Sequence, residues 1–131
     1  MEEQFIPYEE AYELRKLGFD EPSIATYGTL FNNKWELTIN SDYYIHHKYH
    51  ESVKACTAPL YRQAFRWIRE EHNLTSHIHW TVGGLWDFTI EKSVPRGLLD
   101  MTPTRYRVDI ESYEEAELAC LRKLIEIIKK K

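Results

Sequence analysis

Cysteine is scarce in this chain: Cys56 and Cys120 are the only two in 131 residues, too few for a disulfide framework and without the paired spacing of a metal knuckle. Cys120 falls on the apolar side of a helical pattern and Cys56 just precedes a helix, so both read as buried free thiols. Long apolar runs are missing too, and none approaches the ~18 residues that crossing a bilayer takes. The start, Met1-Glu2-Glu3-Gln4, carries no signal-like segment, so the expected setting is the cytoplasm. A cationic surplus is also lacking: 17 Lys and Arg against 21 Asp and Glu leave a net charge of −4, which argues against nucleic acid or an anionic membrane as partner. No glycine-rich phosphate loop, G-x-S-x-G elbow, H-E-x-x-H helix or C-x-x-C pair occurs, so the common enzyme motifs with a local signature are absent, which leaves open a site assembled from remote residues.

What is abundant is aromatic side chain, at 14% with nine Tyr and four Trp. Such large amphipathic groups exceed what a core this small needs, and some of them are expected on a recessed or sticky surface. Length and composition fit one folded domain over residues 1–131, large enough to need neither metal nor disulfide for stability.

Helical and strand periods alternate along the chain. Pro7, with Glu9 and Glu10 behind it, opens a first helix whose seam is Tyr8, Ala11, Leu14 and Leu17, and Gly18 closes it. Period two then takes over, with turn-forming Asn32-Asn33 and Asn40-Ser41-Asp42 separating strands near 24–31, 34–39 and 43–49. Thr57 as N-cap and Pro59 in the first turn start a second helix that runs to about His72. Its apolar face is Leu60, Tyr61, Ala64, Phe65 and Ile68, and Arg62, Arg66 and Arg69 follow one another at i, i+4 and i+7 on the other side.

A hairpin follows whose register can be derived. A two-residue Gly83-Gly84 turn would mix polar and apolar groups on both faces. A three-residue loop, Gly83 to Leu85, pairs Val82 with Trp86, Trp80 with Phe88 and Ile78 with Ile90. It leaves His77, His79, Thr81, Asp87, Thr89 and Glu91 on the opposite face. Residues 93–103, with Pro95, Gly97 and Pro103, read as an irregular connection, and Tyr106, Val108 and Ile110 alternate as one more strand. Ser112 and Glu115 form a capping box for a last helix with the seam Ala116, Cys120, Leu124, Ile127 and Ile128, widened by Leu121 and Ile125. The predicted fold is therefore α+β, an antiparallel sheet of five to six strands with three helices, in the order α-βββ-α-ββ(β)-α. The tetrapeptide Tyr-Glu-Glu-Ala recurs at Tyr8–Ala11 and Tyr113–Ala116, and two helix N-termini favouring acidic first turns explain it without duplication.

Two groups of residues bear on function. Arg62, Arg66 and Arg69, beside Tyr61 and Trp67, could grip an anion bidentately while an aromatic ring stacks on it, and they are the candidate ligand-binding set. Among the six histidines, His46 with His50 or His77 with His79 offers two imidazoles to one ion, but a structural zinc wants four ligands and a catalytic one three. No metal site and no cofactor is assigned on that basis.

His50-Glu51-Ser52-Val53 and His79-Trp80-Thr81-Val82 resemble the paired His-x-Ser/Thr signature of the two-histidine phosphoesterases. That resemblance implies His50 and His79 as acid and base, with Ser52 and Thr81 holding phosphate. A broader likeness runs through three blocks: Ile6-Pro7-Tyr8 to Leu17-Gly18-Phe19-Asp20-Glu21-Pro22, Ala58-Pro59-Leu60-Tyr61-Arg62-Gln63 to Ile68-Arg69-Glu70, and Tyr113-Glu114-Glu115-Ala116 to Cys120-Leu121. These resemble a group of small uncharacterised proteins from Bacteroidetes genomes, prophages and phages. The likeness implies a phage or mobile-element accessory protein and transfers no catalytic residue. The expectation is thus a non-enzymatic binding module, for a protein partner or a small anionic ligand, with the histidine phosphoesterase as the alternative.

Overall fold

The computed structural model describes residues 4–21, 23, 25–29, 35–39, 56–92 and 104–130. The elements run α1 (Tyr8–Lys16), β1 (Ala25–Thr29), β2 (Trp35–Ile39), β3 (Cys56–Thr57), α2 (Tyr61–His72), β4 (Leu74–Trp80), β5 (Trp86–Lys92), β6 (Thr104–Ile110) and α3 (Tyr113–Lys129). Among the described residues the fold is α+β with three helices, and its third strand, β3, is a segment expected to open the second helix. A single sheet of five to six strands is not borne out. Among the described residues the strands form two separate antiparallel ladders of three, β2-β1-β3 and β4-β5-β6, with β1 and β5 as their central strands. The strand expected near 43–49 and the connection at 93–103 lie outside the described residues. The chain divides into two compact units, Met1–Gln63 and Ala64–Lys131.

In the first unit, Pro7 stands at the N-cap of α1, one residue before the first helical position expected for it, and Glu9 and Glu10 lie in the first turn. It ends where Gly18 takes φ +105°, a conformation costly to any residue with a Cβ. Gly18 N–H then reaches Arg15 C=O at 3.1 Å and Phe19 N–H reaches Leu14 C=O at 3.0 Å, the paired bonds of a Schellman cap. Residues 56–60 depart from the expected N-cap. Thr57 belongs to β3, opposite Thr26, and the ladder continues as Ala58 N–H donates to Ala25 C=O at 2.8 Å. Pro59 C=O accepts from Ile6 N–H at 3.0 Å, and Leu60 bridges to Phe5, so helix α2 starts only at Tyr61. Backbone pairing with β1 and the N-terminal segment outbids the capping geometry available to Thr57. Phe5, Ala25 and Ala58 form the core beneath this stitching, with Tyr27 and Leu60 packed on it.

Helix α2 buries Tyr61, Ala64, Trp67 and Ile68 and leaves Phe65 only half-buried, so its inward face is rotated from the expected one toward Trp67. It stops at Asn73, which takes φ +57°.

In the second unit the β4–β5 hairpin keeps the predicted division of faces but not the predicted pairing. Trp80 stands opposite Trp86, His79 opposite Asp87 and Ile78 opposite Phe88. The loop has three residues, but they are Val82, Gly83 and Gly84, closed by Thr81 N–H donating to Leu85 C=O at 2.7 Å. Such a loop needs its last residue in the left-handed region, and Gly84 (φ +78°) meets that need where Leu85 would not. The shift leaves Val82 fully exposed. In β6, Val108 is exposed rather than facing inward with Tyr106 and Ile110. An irregularity opposite Trp86 to Phe88, with Asp109 at φ +47°, breaks the alternation there.

Helix α3 packs on β4, β5 and β6. Ser112 caps it, its Oγ accepting from Glu115 N–H at 3.2 Å. Ala116, Cys120, Leu121, Leu124, Ile125 and Ile128 are buried, while Ile127 is only half-buried. The apolar sheet face, with Leu74, Phe88 and Ile90 buried, takes this helix, and the opposite face stays polar.

Candidate functional site

The polar face of the β4-β5-β6 sheet holds the densest group of titratable side chains among the described residues that strand register brings together. His77, Thr89 and Arg105 stand in one row across the three strands, and His79 and Asp87 pair in the next. His79 Nε2 lies 2.9 Å from Thr89 Oγ1, and His77 Nε2 lies 3.2 Å from Glu91 Oε1. Asp87 is the exception on this otherwise accessible surface, at 2% exposure. Its Oδ2 accepts from Arg105 Nε at 3.0 Å and from Arg105 Nη2 at 2.8 Å, while its Oδ1 is buried with no hydrogen-bond partner among the described residues. A buried carboxylate is tolerated only when a cation and donors replace its lost water, and Arg105 supplies both. Composition and spacing could not expose this pair, since it depends on how β6 registers against β5.

At the hairpin end of the same unit lies a different surface. Trp80 is 70% exposed, Val82 stands clear at the loop, and Trp86 meets Tyr113 edge to face at 5.2 Å between ring centroids. Burial, then the neighbouring Glu117 carboxylate to which it is hydrogen-bonded, raises the Tyr113 hydroxyl above its ordinary range. The phenol therefore stays protonated. Burial likewise lifts Glu117 above the usual carboxylate range.

The helix-two set divides on exposure. Arg62, Arg66 and Arg69 are exposed, as expected of a basic stripe. Tyr61 and Trp67 are not beside it for stacking, being 7% and 6% exposed. Both rings belong to the inward face of α2, because burying a large ring stabilises the fold by roughly 2 to 3 kcal/mol. The aromatic half of the expected grip is therefore withdrawn, and among the described residues the exposed rings are Trp80 and Tyr113 instead.

Of the residues implied by the phosphoesterase likeness, His50 and Ser52 lie outside the described residues. His79 bonds Thr89, and Thr81 Oγ1 donates to Leu85 C=O at 2.9 Å, which ties its hydroxyl to the hairpin loop. His77 and His79 have ring centroids 6.3 Å apart, and no group of three His, Cys, Asp or Glu among the described residues could hold a metal ion. His46 lies outside the described residues. Cys120 is buried, its thiol pushed up to about 11 by desolvation. Among the described residues no helix is long and apolar enough to cross a membrane. Comparison with known proteins adds no relative to this geometry: no family model, curated protein or solved structure matches the chain.

Proposed function

We propose that this protein is a non-enzymatic binding module that docks a protein partner through the hairpin-end surface of Trp80, Val82, Trp86 and Tyr113. The observation that carries this reading is the exposure of Trp80, 70% accessible beside a half-buried Trp86 that is its direct cross-strand neighbour. Leaving an indole in water forgoes burial free energy, and contiguous exposed apolar rings at the end of a rigid element are the anchors that protein interfaces use. A net charge of −4 fits a neutral or basic partner. The partner belongs in the cytoplasm, and the likeness to phage and mobile-element proteins makes a host factor the natural candidate.

The test is a paired capture from a Bacteroidetes lysate with wild type and Trp80→Ala as baits, after circular dichroism has shown both folded. A protein retained by wild type and lost by the variant supports docking through this surface. Identical captures overturn it. Hydrolysis of a cyclic nucleotide phosphodiester by wild type, abolished in His79→Ala, would put the phosphoesterase alternative in its place.

A further inference from the structure

The polar face on the other side of the sheet is independent of the hairpin-end surface, and its geometry points to a second site. We propose that it binds an oxyanion, a carboxylate or phosphate group, on the guanidinium of Arg105, with the Thr89 hydroxyl as a flanking donor oriented by His79.

Arg105 is held in an unusual way for a half-exposed side chain. Its side chain is 49% accessible, yet two of its N–H groups converge on one oxygen of a carboxylate whose own side chain is only 3% accessible. Arg105 is the sole partner of Asp87 among the described residues, so it cannot swing away without leaving a buried charge bare. Ordinarily a surface arginine loses much rotamer freedom when it grips a ligand. Here that ordering is complete before any ligand arrives.

A guanidinium has five N–H donors, and the contacts to Asp87 use only two. The remaining donors lie on the planar fork, whose spacing matches two oxygens of a carboxylate or phosphate. Thr89 stands directly opposite Arg105 in the ladder, at the ~5 Å separation of a cross-strand pair. Thr89 Oγ1 already contacts His79 Nε2. When that nitrogen carries the proton, the Thr89 hydroxyl accepts from it and keeps its own proton for the ligand.

Charge at this place is mixed. Asp87 is neutralised by Arg105, and Glu91 is engaged by His77. Arg107, exposed two residues further along β6, is left without an ion-pair partner among the described residues. Asp109, exposed on the same strand, offsets that charge, so what draws an anion here is the donor fork of Arg105 and not a net positive field.

The experiment is an NMR titration of the full chain with inorganic phosphate and, separately, acetate, against sodium chloride at matched ionic strength. The expected result is a saturable shift of the Arg105 side-chain N–H and the Thr89 amide, with chloride giving none. The stronger of the two probes identifies the oxyanion class. Arg105→Lys keeps the charge but removes the fork, and should weaken binding about tenfold or more. Should that variant fail to fold, Thr89→Val leaves the Arg105–Asp87 pair intact and should weaken binding several-fold. Arg66→Glu and Arg69→Glu should leave these shifts unchanged. A linear, unsaturable response, equal shifts in chloride, or saturation that Arg105→Lys and Thr89→Val both preserve would overturn the site. None of these results depends on Trp80, so the docking surface and the anion site stand or fall separately.

Discussion

Arg105 and Asp87 are bound to each other asymmetrically: two guanidinium nitrogens share Oδ2, at 3.0 and 2.8 Å, while Oδ1 is left buried and unpaired among the described residues. The pair joins β6 to β5 by side chains where the backbone ladder becomes irregular. Removing Arg105 as alanine strands the carboxylate. With half of the arginine in solvent, the expected cost is about 2 to 3 kcal/mol, short of that for a fully buried pair. Urea denaturation of Arg105→Ala measures it. Asp87→Asn should cost less, since it leaves no bare charge, and equal losses for the two variants would show that the buried charge is not the cause.

The hairpin loop isolates a backbone effect. Gly84 sits at φ +78°, Gly83 does not take a positive φ, and a Cβ added at either meets nothing within 4 Å. Gly84→Ala should therefore destabilise by about 1 to 2 kcal/mol from left-handed strain alone. Gly83→Ala should be close to neutral, and Gly84→Asn should recover part of the loss. Thermal melts of the three variants decide whether the loop is anchored at Gly84.

At the start of α3 the Ser112 hydroxyl satisfies the Glu115 N–H, at 3.2 Å. Ser112→Ala should lower stability by about 1 kcal/mol, and Ser112→Asp should stay near wild type because aspartate caps equally well. Chemical denaturation reads the difference. An alanine variant as stable as the parent would mean that packing of the helix seam makes the cap redundant.

Cys120 gives a pH signature. Burial raises its thiol from an ordinary value of 9.0 to about 11, so the unfolded chain loses this proton before the folded one does. Its contribution is complete below about pH 9 and fades as pH climbs toward 11, by roughly 2 to 3 kcal/mol in all. In a Cys56→Ser background the native protein should react with a disulfide reagent slowly at neutral pH and quickly in urea. Replacing Cys120 by alanine should remove the extra alkaline loss of stability. Fast native labelling would contradict burial of the thiol.

How far the fold was legible depends on the range of the interaction. The Gly18 stop, the Ser112 cap and the seam of α3 are set by neighbours within one or two turns, and all three read directly from residue type. The division of faces in β4 and β5 was legible for the same reason, since alternation is a local property. Its pairing was not: burying Val82 and placing glycine in the left-handed region pulled toward different loops, and the backbone requirement at Gly84 prevailed. Thr57 was misread because a strand partner 31 residues earlier, Thr26, competes with the cap. The site was harder still. Tyr61 and Trp67 bear the same residue types as an accessible binding face, and only burial tells them from Trp80 and Tyr113. Asp87 and Arg105 come together through a pairing that no local pattern encodes.

The irregular outer strand has a consequence for strand-to-strand association. β6 lies at the border of its ladder, carries Arg105, Arg107 and Asp109, and is kinked where Asp109 turns left-handed. A charged, distorted margin of this kind is a poor template for a second chain to extend, because an incoming backbone finds its hydrogen-bonding rhythm broken. The same kink that disturbs the pairing opposite Trp86 thus makes that border a poor seed for fibril growth.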